Sequence, residues 1–334
     1  MTRLTESVYS YPINNSIGKR WHSCTGKLPV PLTNDFLFRA LLQSDNTTLV
    51  HLVAALLGRK LTEVHSATIT NPIFLGDSID DKYFVMDVRV QLNNDANLNL
   101  EMQVCNEHNW TDRSLGYLCR LYDNLNRGDA YESTKAAIQF SFLDFTLFEE
   151  HPEFFASYKL LNTRSLYPYT DKFELYVIDL TKISLATEID KKYKIDQWAR
   201  MFKAKTWEDL KMIAKRNQEI DTAISGIYQM TEDEIIREQC RQRDEFLLRQ
   251  EMERRRLERT NEKLKTAEMA LENINTELKN KDARLKDMDV QLKDKDAELK
   301  DKDDQLKSAQ GELSAKEKTI QELEQKLREL GALS

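Results

Sequence analysis

Asp87, in Met86-Asp87-Val88-Arg89, and Glu101, in Leu100-Glu101-Met102-Gln103, are the residues of this sequence best placed to do chemistry. Apolar residues alternate on either side of them: Phe84, Met86, Val88, Val90 and Leu92, then Leu98, Leu100, Met102 and Val104 beyond the polar stretch Asn93–Asn97. Side chains of a strand alternate between its two faces. Two strands joined by a polar turn therefore leave Asp87, Arg89, Glu101 and Gln103 off the apolar face. Carboxylates on neighbouring strands offer hard oxygen ligands to a divalent cation. Such a cation activates water against a phosphodiester. Taken alone, the pair also fits two solvated acids on a half-buried hairpin.

Three features sharpen the first reading. Gln103 follows Glu101 by two residues, so both project from one face. Glu101 lies within an otherwise apolar run, where a carboxylate is costly without a partner. The segment that follows carries Arg113, Tyr117, Arg120, Asn124 and Arg127 at spacings of 4, 3, 4 and 3, a polar stripe on a helix. Planar guanidinium forks suit phosphate, although a solvated helix face would look the same.

The elements that must position these residues are legible in outline. Asn34–Gln43 reads as a helix, and Asn46 as the N-cap of a second one ending at Leu57 before Gly58. Val64–Thr70 is a candidate strand ahead of the hairpin. Thr111 is placed to cap a helix reaching Arg127, with Gly128 as its stop. Ala136–Phe142 and Phe173–Leu180 are rich in strand formers. Helices and strands are mixed around a central hairpin, which favours an α/β sheet flanked by helices. Residues 1–29 read as a loose N-terminal arm, 30–189 as the core and 190–256 as a helical region whose Trp198, Phe202, Trp207, Leu210 and Ile213 anchor it.

Residues 257–334 carry a heptad: Leu257, Leu264, Leu271, Leu278, Leu285, Leu292, Leu299, Leu306, Leu313, Ile320 and Leu327. A helix of that length reaches on the order of 100 Å. The second seam contains Lys281, Lys295, Lys302 and Lys316, which weakens the middle of any zipper because a coiled coil needs both seams apolar. The expected form is a long charged helix zipping at its ends, a possible coiled coil joining copies of the chain.

Composition narrows the partners. The net charge is −7, with 49 Lys+Arg against 56 Asp+Glu, and the tail from residue 251 holds only 19 and 21 of these. Any DNA contact must come from a local basic stripe and a metal, not a global field. The four cysteines show no paired spacing for zinc or a disulfide framework. The five histidines show no metal spacing, and no Gly-rich phosphate loop is present. With neither a signal pattern nor an apolar run of about 18 residues, the expectation is a cytoplasmic protein with no membrane segment.

The ordered set Asp87…Glu101-Met102-Gln103 resembles the core of the PD-(D/E)XK nucleases. More narrowly, the chain resembles Rpn-type recombination-promoting nucleases, a group labelled transposases. Thr33-Asn34-Asp35-Phe36-Leu37-Phe38, Asn99 through Gln103, Arg113 through Tyr117 and Gly128 through Tyr131 carry the likeness, which spans roughly residues 30–250. It implies a restriction-endonuclease-like core: a mixed central sheet flanked by helices, then a helical region and the long heptad helix. It also implies a metal-dependent DNA endonuclease of recombination or mobile elements, using Mg2+ or Mn2+. Asp87 and Glu101 would be metal ligands, with the backbone carbonyl of Met102 a further one. Asp35 would be an additional acid orienting the cluster, and Gln103 would stand where lysine is usual. Arg113, Tyr117, Arg120, Asn124 and Arg127 would face the nucleic acid. The alternative is a weak or inactive nuclease fold that assembles or binds partners through its tail.

Overall fold

A computed structural model describes residues 19–71, 87–215 and 217–329. Phe84 and Met86 of the expected hairpin, the first 18 residues of the expected arm and residues 330–334 of the heptad region lie outside the described residues.

One six-stranded sheet organises the globular unit, Met1–Glu253. Its strands are β1 (Ala67–Ile69), β2 (Val88–Leu92), β3 (Ala96–Gln103), β4 (Ala136–Leu143), β5 (Phe155–Lys159) and β6 (Phe173–Asp179), in the order β1-β2-β3-β4-β6-β5. The first three pair antiparallel, β3, β4 and β6 run parallel, and β5 closes the far edge antiparallel to β6. The β2–β3 turn places Asn93 and Asn94 at positive φ, a conformation that asparagine tolerates better than most residues.

The two faces differ in chemistry. Val88, Val90, Leu98, Leu100, Met102, Ile138, Phe140 and Phe142 belong to the main core. Helices α1 (Asp35–Ser44), α2 (Asn46–Leu56), α5 (Ile195–Lys203) and α7 (Gln218–Glu232) contribute to the same core. Phe38, Phe142 and Phe202 meet there with ring centroids 5.4–5.5 Å apart, the edge-on and tilted spacings that aromatic quadrupoles favour. The opposite face is covered by α3 (Trp110–Tyr122), through a smaller cluster of Trp110, Leu143, Ala156 and Val177. Short helices α4 (Glu188–Lys192) and α6 (Trp207–Ala214) complete the helical region.

Sequence signals place the starts of α1 and α2 to within a residue, whereas Thr111 lies inside α3, whose N-cap is Asn109 with no side-chain capping bond. The Asn34 side chain accepts a bond from the Leu37 amide and caps α1, while Asp45, one residue before the expected cap, holds the start of α2. Helix α3 ends at Tyr122, short of the expected Arg127. There the Asn124 amide donates to the carbonyls of Leu121 and Lys135 and accepts from the Lys135 amide, drawing the chain away from the helix. Within the segment expected to be a loose arm, most of residues 20–29 are exposed, but two points are tied to the globular unit. Trp21 is wholly buried, and Lys27 bridges to Thr206.

Helix α8 (Glu234–Glu329) begins inside the globular unit, where Ile236, Cys240 and Arg243 are buried. Residues from Arg254 onward form a second unit, and its heptad positions Leu257 through Leu327 are all exposed. No described helix is long and apolar enough to cross a membrane.

Candidate metal centre and nucleic-acid face

The polar face of the sheet is laid out in rows by strand register. Val88 pairs with Leu100, so the next position outward sets Asp87 across from Glu101, and Glu101 pairs with Ser141. One row further along, Arg89 pairs with Asn99 and Asn99 with Gln139. Residues directly opposite one another in a ladder have Cβ atoms about 5 Å apart. Helix α3 roofs these rows.

Both acids are buried: Asp87 is 3 % exposed and Glu101 6 %. The Asp87 backbone is fixed, its carbonyl accepting from Arg39 Nη1 at 2.8 Å and from Asn71 Nδ2 at 3.1 Å. Its Oδ2 accepts from Arg89 Nε at 3.0 Å. Glu101 Oε1 accepts from Arg113 Nη2 at 2.8 Å. Asp87 Oδ1 and Glu101 Oε2, by contrast, are buried with no hydrogen-bond partner. Burial pushes the Glu101 carboxyl up to about 7, opposed by Arg113 and reinforced by the negative charges of Asp87 and Asp35.

Arg113 is the hub of the site. Besides Glu101 it reaches Gln103 Oε1 at 3.3 Å, Glu107 Oε2 at 3.2 Å and the Tyr117 hydroxyl at 3.2 Å. Its guanidinium also lies 5.1 Å from the Trp110 ring centroid, within cation–π range. Gln103 donates its amide to the Cys105 carbonyl at 3.0 Å. The Gln103 carbonyl accepts from the Asp144 amide on the β4 side. Carbonyls alternate along a strand, so that of Met102 points toward β2, where Asp87 lies.

Asp35 stands at the start of α1, both carboxylate oxygens gripped by Arg243 of α8 at 2.7–3.1 Å. Of the expected nucleic-acid stripe, Tyr117, Arg120 and Asn124 line a cavity of about 220 Å³ that also includes Asp87 and Arg89. Arg120 and Arg127 are exposed. Arg127 lies beyond the end of α3, so the five residues do not form one helical stripe.

Residues missed in the sequence are Arg39, Asn71, Asn99, Gln139 and Ser141. Arg39 carried a signal: a cation one turn after Asp35 in a helix otherwise rich in Phe, Leu and Ala. Asn99 and Gln139 carried the same kind of signal as Glu101, a polar side chain within an apolar strand.

The acids suit one kind of ligand. Two buried carboxylate oxygens lacking donors, one on β3 and one immediately ahead of β2, fit a hard cation. Among the described residues no group of three or more His, Cys, Asp and Glu side chains is gathered to hold a metal ion. Mg2+ requires fewer, since it commonly takes one or two carboxylates and completes its shell with water and phosphate.

Comparison with protein families matches residues 32–256 to the PD-(D/E)XK nuclease family transposase model. No curated protein and no solved structure matches the chain.

Proposed function

Because the chain belongs to the PD-(D/E)XK nuclease family transposases, we propose that it is a metal-dependent DNA endonuclease acting in recombination or on mobile elements. The supporting observation is that Asp87 and Glu101, set across from one another by strand register, each keep one buried carboxylate oxygen without a donor, Oδ1 and Oε2 respectively. Asp87, Glu101 and the Met102 carbonyl would hold Mg2+ or Mn2+. When bound, such a cation supplies an activated water and offsets charge growing on the phosphate.

The chain's own residues do the rest. Arg39 and Asn71 fix Asp87 through its backbone, so the carboxylate is pre-positioned. Arg113 balances Glu101 and orients Gln103. The Gln103 amide can direct water or phosphate by hydrogen bonding without adding positive charge. Asp35, itself held by Arg243, adds negative potential at Glu101. Tyr117, Arg120, Asn124 and Arg127 form the nucleic-acid side, with Arg120 and Arg127 reaching phosphates.

Supercoiled plasmid tests the reading. Purified protein nicks it in Mg2+ or Mn2+, and Asp87→Asn or Glu101→Gln lowers the rate about hundredfold or more, the scale of losing several kcal/mol of charge stabilisation. Cleavage unchanged in both variants overturns it.

A second reading has its own support. The leucines and Ile320 at every seventh position of the tail are exposed in the single chain, and pairing with another copy would cover them. In this reading the protein assembles through residues 257–334, whatever its cutting rate.

A further inference from the structure

The cavity beside Asp87 has features that cutting a phosphodiester does not require. It lies over the second row of the polar face, with Asn99 in its floor and Tyr117, Arg120 and Asn124 on its α3 side. Asn99 is 2 % exposed. Its Nδ2 donates to Gln139 Oε1 at 2.9 Å, while its Oδ1 is buried with no hydrogen-bond partner. Asn99 is one of the residues lining the cavity, and an N–H donor entering there would satisfy its unmatched acceptor.

Position and size restrict that ligand. The second row is two residues along the strand from the acids, about 7 Å at 3.4 Å per residue. This is comparable to the reach from a phosphate to the base of its own nucleotide. A volume of about 220 Å³ falls below the roughly 300 Å³ where drug-sized pockets begin, leaving room for one base and not a base pair. Every nucleobase carries an N–H donor on its pairing edge, which is available only when the base is unpaired. The Tyr117 ring and the Arg120 guanidinium are planar groups suited to stacking.

We propose that this cavity takes one unpaired nucleobase of the DNA strand, adjoining the phosphate at Asp87 and Glu101, with Asn99 Oδ1 accepting a hydrogen bond from its pairing edge. The inference rests on the endonuclease reading and adds a substrate class: DNA that is single-stranded, frayed or able to extrude a base.

The test is fluorescence anisotropy on the full-length protein in Ca2+, which takes the same oxygen ligands. The probes are three short oligomers: oligothymidylate, its N3-methylthymine counterpart and an abasic strand of equal length. Wild type binds oligothymidylate about fivefold tighter than the methylated strand, the worth of one hydrogen bond, and the abasic strand is the weakest. Asn99→Leu removes the difference between the first two and leaves abasic binding unchanged. Equal wild-type binding of the two thymine strands, or abasic binding as tight as oligothymidylate, overturns the proposal. These wild-type arms decide the matter even where Asn99→Leu fails to fold. Base-independent binding alongside metal-dependent plasmid cleavage sinks this inference alone. Base-dependent binding with cleavage indifferent to Asp87→Asn sinks the nuclease reading and leaves the pocket standing.

Discussion

Burying Glu101 across from a second carboxylate makes the stability of the metal-free protein depend on pH. The folded-state carboxyl titrates near 7, against an ordinary value of 4.5, chiefly because burial disfavours its charge. A raised carboxyl favours the fold while protonated. That contribution is complete below about pH 4.5 and is lost as pH rises to about 7, for a total of about 3 kcal/mol. Urea unfolding in EDTA across this window therefore shows wild type losing stability relative to Glu101→Gln; parallel profiles would contradict this. At the residue scale the acids were legible because a carboxylate in an apolar strand is conspicuous. The ties of Arg113 to Glu101 and of Arg243 to Asp35 were not, since each joins residues whose meeting only the fold decides. The Asp35–Arg243 pair spans 208 positions.

Elements with strong local signals were the readable ones. The capped helix α1, the hairpin β2–β3 and the parallel strands β4 and β6 all lie within a few residues of their sequence boundaries. Strand β5 was missed because it is short and lies at the sheet edge, where pairing with β6 supplies what its own pattern lacks. The stop of α3 was misplaced because Gly128, at φ +98, is a credible terminator, whereas the Asn124 side chain ends the helix earlier. The root of α8 is the least local element. Arg243 grips Asp35, and the Asn34 amide donates to the Cys240 carbonyl at 3.2 Å and to Asp244 Oδ1 at 2.8 Å. Breaking a buried pair strands one charge, so Arg243→Ala costs about 3–5 kcal/mol, while replacing both Arg243 and Asp35 with leucine costs less. Chemical denaturation distinguishes the two, and a single variant losing under about 1 kcal/mol contradicts the role given to the pair.

Across the whole molecule, a globular unit through Glu253 and a second unit from Arg254 divide the chain. The heptad was plain in the sequence, because spacing by seven needs no tertiary context to be seen. Whether it pairs was not, because lysines interrupt the second seam while leucines hold the first. Exposed leucines of the single chain favour association. Sedimentation equilibrium therefore finds the full chain shifting to a higher mass with concentration, while residues 1–253 stay monomeric. A full chain that stays monomeric throughout removes assembly through the tail.

The central claim is that Asp87 and Glu101 share one cation. Anomalous diffraction from crystals soaked in Mn2+ tests it most directly. The account predicts a single peak within about 2.1 Å of one oxygen of each carboxylate, absent in Asp87→Asn crystals. A peak elsewhere, or none at these two acids, contradicts it.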